Sequence, residues 1–153
     1  MTECMTSKTG EWTNSIDFTL PPLQNWANGI ISWPLISNVQ ANLSLNSSSA
    51  CHDCLGLVTI DQNGEFVFQV AYFLIAQFSR FIRPGAVVLD TSSSSSSLVD
   101  GVASLNQDLS RSVVIVNRFG FDISLVVDFM SGDTWLGDVP GNSTTTWILP
   151  EHS

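Results

Sequence analysis

Charge is scarce in this sequence, and positive charge scarcest. Charged residues make up 12% of 153 positions, and the cations are Lys8, Arg80, Arg83, Arg111 and Arg118 alone. A net charge of −9 repels phosphate backbones and anionic lipid, so nucleic acid is not the expected partner, whereas neutral substrates such as sugars remain open. Long apolar runs are missing as well. No window reaches the roughly 18 apolar residues that a membrane helix requires, so no membrane span is expected. Met1–Gly10 has no apolar h-region, and no signal peptide is read there. Cysteine is limited to Cys4, Cys51 and Cys54, and histidine to His52 and His152. The Cys51-His-Asp-Cys54 spacing therefore falls short of a four-ligand zinc set, and a small disulfide loop in an oxidising compartment is the better reading. No metal is expected.

What is present argues for a folded chain. Hydrophobic residues make up 44%, enough for a real core. Three N-x-S/T sequons, at Asn42, Asn46 and Asn142, agree with an extracellular, glycosylated protein. A secreted body without an export signal is a contradiction, and it resolves if these residues begin inside a longer protein.

Organisation changes along the chain. Pro21-Pro22 is read as the start of a helix through Leu23, Trp26 and Ala27, ended by Gly29. Ile30–Leu35 is then a short apolar run stopped by Pro34 and read as a buried strand. Helix feeding strand is the pattern of an α/β unit. Residues 37–54 are a polar loop holding two sequons and the cysteine pair. Leu57–Ile60 and Glu65–Phe68 form a hairpin about Asp61-Gln-Asn-Gly64. Val70–Ile82 is the clearest helix, apolar around most of its circumference and so expected between layers, and Pro84-Gly85 stops it. Beyond it lie strands at Ala86–Asp90, Ser112–Asn117, Ile123–Asp128 and Thr144–Leu149, with turns at Phe119-Gly120 and Pro140-Gly141 and a serine loop at Ser92–Ser97. The shift near residue 84 marks a boundary between an α/β part, residues 1–83, and an all-β part, residues 84–153.

Several stretches, in this order, resemble glycoside hydrolase family 30, which holds glucosylceramidases, fungal endo-β-1,6-glucanases and related xylanases. Thr2-Glu3-Cys4 resembles its nucleophile motif at the end of the seventh barrel strand. Asn25-Trp-Ala-Asn-Gly29 leading to Ser32-Trp33 resembles the last helix and eighth strand. Cys51–Ile60, Tyr72 and Phe78–Ala86 resemble the final barrel helix and the entry to a β-sandwich, and Val113–Asn117 resembles a sandwich strand. The cysteine pair and sequons are most like the fungal secreted glucanases. One departure is Pro34–Gln40, where the family usually carries Asn-Leu-Ala-Leu-Asp and a Gly-Gly-Pro turn.

The resemblance implies a fold of α/β plus all-β type: the last strand–helix units of a (β/α)8 barrel, then a C-terminal β-sandwich, both incomplete. It implies a retaining β-glycosidase, which needs a nucleophile and an acid/base about 5–5.5 Å apart. Glu3 is the implied nucleophile. The acid/base belongs to the fourth barrel strand, and no other carboxylate of this chain matches a family motif. These residues alone are therefore expected to be inactive and to require the N-terminal barrel. No cofactor is implied, and the implied partner is a β-linked glucan or glycoside.

Each residue also has a plainer reading. Trp33 is either core or an aromatic stacking on a sugar face. His52 reaches the cleft rim or only shapes its loop, and Trp12 and Trp26 are read as packing residues. Cys4 is read as a buried small residue, Asp53 and Asp61 as turn residues. The competing functional reading is a non-catalytic β-sandwich that binds glycans or packs on a partner.

Overall fold

The computed structural model describes residues 4–5, 12–38, 56–92 and 98–150. The chain divides into two units, residues 1–76 and 77–153.

In the first unit, α1 spans Trp12–Gln24. Ile16, Leu20 and Leu23 recur at helical spacing and are buried, beside buried Ser15 and Thr19. The Thr19 hydroxyl donates to the Ser15 carbonyl at 2.7 Å, so this buried polar group is satisfied within the helix. The helix thus begins well before the expected start at Pro21, and Pro21 and Pro22 lie in its last turn instead. Proline supplies no N–H, but its carbonyl still accepts. The Asn25 and Ala27 N–H groups donate to the carbonyls of Pro21 and Pro22 at 3.0 and 2.9 Å. Trp26, with φ of 64°, closes the helix in the left-handed conformation, three residues before the expected stop at Gly29.

Two short strands follow α1, β2 (Ser32–Trp33) and β3 (Ile36–Asn38), with β1 at Cys4–Met5. Ile31 and Leu35, expected in a buried strand, are each 61% exposed. Pro34 divides the run, so each piece pairs with a different neighbour, β2 with β1 and β3 with β4. β4 (Val58–Ile60) lies between β3, parallel to it, and β5 (Phe66–Phe68), antiparallel. Gly56 is required here: a Cβ would stand 2.7 Å from the Ser37 nitrogen. The expected hairpin is present. The Asp61 carboxylate accepts from the Asn63 and Glu65 N–H groups at 2.8 and 2.9 Å, and Gly64 takes φ of 83°.

Helix α2 (Val70–Ser79) begins in the first unit and ends in the second. It buries the stripe Ala71, Leu74 and Phe78 but leaves Val70 and Phe73 exposed, so it is covered on one side and not enclosed between layers. Phe68, Tyr72 and Phe73 form an aromatic cluster with ring centroids 4.7–6.3 Å apart.

The second unit is a pair of facing sheets. β6 (Val87–Leu89), β7 (Val99–Leu105), β8 (Arg111–Asn117) and β11 (Ser143–Leu149) form an antiparallel sheet in the order β11-β8-β7-β6. β9 (Ile123–Asp128) and β10 (Thr134–Val139) form a hairpin. The core lies between them: Val99, Ala103, Val113, Ile115 and Leu149 from one sheet meet Val139, Leu125, Val127 and Trp135 from the other. β8 is buried at every position, as its unbroken apolar run requires of a central strand.

Strands β7 and β10 were not among the sequence expectations. Asp100-Gly101 and Gly137-Asp138 interrupt them with residues depleted in strands. Both glycines serve close packing. A Cβ on Gly101 would stand 2.6 Å from the Val114 carbonyl oxygen, and one on Gly137 would stand 2.7 Å from the Trp147 ring.

Candidate functional site

The strand pair β1–β2 holds the positions that follow Thr2-Glu3 and that include Trp33, both singled out in the sequence. The two strands run parallel, with Cys4 opposite Ser32 and Met5 opposite Trp33. Parallel neighbours this far apart in sequence need a crossover between them, and α1 supplies it. Glu3 lies outside the described residues, as do Cys51, His52, Asp53, Cys54, Asn42, Asn46 and the side chain of Trp33.

The carboxyl groups of Asp61 and Asp108 both have a pKa lowered below the ordinary carboxylate value. The Glu65 backbone N–H is the main cause at Asp61. The Ser110 hydroxyl is the main cause at Asp108, aided by its backbone N–H and the Arg83 charge. A general acid needs the opposite shift, so these two groups act as turn anchors. Among the described residues no group of three or more His, Cys, Asp or Glu side chains could hold a metal ion, and no helix is long and apolar enough to cross a membrane.

Polar side chains in the second unit fasten loops. The Asn106 amide nitrogen lies 3.1 Å from each of the Phe81 carbonyl and the Ser110 and Ser112 hydroxyls, and its amide oxygen accepts from the Arg83 N–H at 3.1 Å. Around it a shallow cleft of about 250 Å³ is lined by Arg80, Phe81, Arg83, Asn106, Ser110, Ser112 and Ile148. Asn117, fully buried, has its amide nitrogen within 3.0–3.1 Å of the carbonyls of Phe121, Val139 and Pro140 and accepts from the Phe119 N–H at 2.9 Å. Arg111 pairs with Asp133 at 2.7 Å and lies 4.4 Å over the Phe129 ring.

Two aromatic residues stand apart from these anchors. Trp26, expected to be a core or packing residue, is 68% exposed at the left-handed turn that follows α1. Phe121 is 62% exposed and stacks on Phe119 at 4.9 Å. Sequence patterning did not single out Phe121, since its neighbours across the turn, Gly141 and Asn142, are distant in sequence.

Residues 85–147 match the glycosyl hydrolase family 30 beta sandwich domain. The chain is 49% identical over 154 aligned residues to the endo-1,6-beta-D-glucanase BGN16.3 of Trichoderma harzianum, covering 98% of itself and 31% of that protein. It is 47% identical to the endo-1,6-beta-D-glucanase neg1 of Aspergillus fumigatus, with the same coverage. The chain therefore spans about a third of the length of these relatives. Its fold is similar to that of the endo-beta1,6-glucanase BT3312, with a TM-score of 0.83 and 23% identity over 99% of this chain and 35% of the other.

Proposed function

The chain belongs to glycoside hydrolase family 30, and on that premise we propose that it is the C-terminal portion of a secreted, retaining β-glycosidase of the endo-β-1,6-glucanase type. The observation that carries this reading is the 49% identity along 98% of the chain to a fungal endo-1,6-glucanase. The parallel pairing of β1 with β2 supports it, since it sets Cys4, the residue after Glu3, opposite Ser32, and Met5 opposite Trp33.

In this reading residues 1–83 are the last strand–helix units of a (β/α)8 barrel and residues 84–153 its β-sandwich. Active sites of such barrels gather at the C-terminal ends of the strands. Glu3 is the nucleophile. Its carboxylate attacks the anomeric carbon while the acid/base carboxyl, from a barrel strand outside these residues, protonates the departing glycosidic oxygen. Water activated by the same carboxyl, now a base, then cleaves the glycosyl–enzyme ester and releases the sugar with retained configuration. Trp33 offers an aromatic face to the sugar, and His52 lies at the rim on a loop closed by a Cys51–Cys54 disulfide. A single catalytic carboxylate does not complete the cycle, so the 153 residues by themselves are inactive.

The test is a chimera in which this chain replaces the matching third of the Trichoderma harzianum enzyme. It should release sugar from β-1,6-glucan, and Glu3→Gln should lower the rate by about a thousandfold or more without moving the melting temperature. A Glu3→Gln chimera that keeps its rate would remove Glu3 from the mechanism.

A second reading is a sandwich that binds glycans or packs on a partner without catalysis. It draws on the family match being confined to residues 85–147. Glycan binding by this chain that survives Glu3→Gln would favour it.

A further inference from the structure

We propose that Asn142 carries an N-linked glycan whose first sugar packs against the exposed ring of Phe121. Three observations converge on the turn between β10 and β11. First, Asn142-Ser-Thr144 is a glycosylation sequon, and Asn142 is exposed at a left-handed position with φ of 49°. Second, the turn is firmly tied to the loop at residues 119–122. The Asn142 N–H donates to the Phe119 carbonyl at 2.7 Å, and the Gly141 N–H donates to the Asp122 carboxylate at 2.9 Å. The Asn142 amide nitrogen, the atom that bears the sugar, lies 3.8 Å from where a Cβ on Gly120 would stand. Third, the residue after Gly120 is Phe121, 62% exposed yet held in place by stacking on Phe119 at 4.9 Å with planes 26° apart. An exposed aromatic ring that is already ordered loses little freedom when a second apolar surface covers it. The hydrophobic face of a hexose, attached at the neighbouring amide, is such a surface.

The structure also fixes when the sugar is added. The Thr144 hydroxyl, which completes the sequon, is buried, and Thr144 is paired opposite Val116 within the sheet. The sequon is therefore readable only before β11 docks on β8, while the chain is emerging into the secretory compartment. The inference rests on the secretory reading above, but its test does not depend on hydrolytic activity.

The full chain, directed by a heterologous leader into the secretory pathway of a yeast host, is digested and the peptide holding Asn142 is weighed before and after peptide-N-glycosidase treatment. The expected result is a sugar-bearing peptide that loses its extra mass and gains an aspartate at position 142, and no such mass in Asn142→Gln. An unmodified Asn142 overturns the proposal. Removing the glycan from the folded protein should lower its melting temperature by about 2–4 °C and speed hydrogen exchange of residues 118–122. Phe121→Ala should keep the sugar and abolish both changes. If enzymatic removal has the same effect with and without Phe121, the packing half of the proposal fails. Because occupancy is read by mass alone, an inactive chimera in the experiment above leaves this result untouched, and an active one does not produce it.

Discussion

The two units of this chain use similar apolar material to opposite effect. In the second, β8 is flanked by β7 and β11 and faced by β9–β10, and all seven of its residues are buried. In the first, β5 reads Phe-Val-Phe, is as hydrophobic as β8, and all three residues are exposed. Composition does not make a core; neighbours do. A strand paired on both sides and covered on both faces buries every residue, whereas an edge strand of a three-stranded sheet buries only what its own unit can reach. Under the proposed barrel reading the remaining strand–helix units of the longer protein are what β5, Ile31, Leu35 and Phe73 await.

That contrast can be broken or sharpened by substitution. The largest effect is expected in the centre of the second unit. Ile115→Ala removes three carbons from the shared core of the two sheets and should cost about 2–5 kcal/mol in a chemical denaturation measurement. A cost under ~1 kcal/mol would mean that the sheets do not pack as one core. Next comes Asn117→Ala, which strands buried carbonyls at the β8–β10 junction and should cost about 1–3 kcal/mol, with faster hydrogen exchange at Phe119. The smallest effect is expected for Phe73→Ser on the exposed side of α2: a change within ~0.5 kcal/mol in this chain, together with less aggregation. The same substitution in the chimera should destabilise strongly if barrel neighbours cover that face, and its silence there would break the comparison.

Legibility in the sequence followed the same line. Strand β8 was readable because its run Val-Val-Ile-Val needs nothing but burial to explain it. The Asp61–Gly64 turn was readable because its chemistry is local: a carboxylate accepting from the next backbone groups and a glycine at positive φ. Where packing is long-range the pattern misled. Gly101 and Gly137 look like strand breakers, and only the Val114 carbonyl and the Trp147 ring explain them. Pro21-Pro22 looks like a helix start, and only the buried stripe Ile16, Leu20 and Leu23 extends α1 upstream. At the candidate site, Thr2-Glu3-Cys4 and Trp33 were singled out through resemblance alone, and the structure adds only the parallel register that pairs Cys4 with Ser32 and Met5 with Trp33. The closeness of Asn142 to Phe121 was hidden, since it arises from two loops meeting across β10.

Gly137 carries one further implication, for how this sheet can change over generations. Its missing side chain is the seat of the Trp147 indole, whose Cζ2 and Cη2 atoms would lie 2.7 and 3.0 Å from any added methyl. An alanine there makes the indole shift, and a smaller residue in place of the tryptophan leaves its seat empty. The two positions share one space, so substitutions at them are expected to be epistatic, each costing less in the presence of the other.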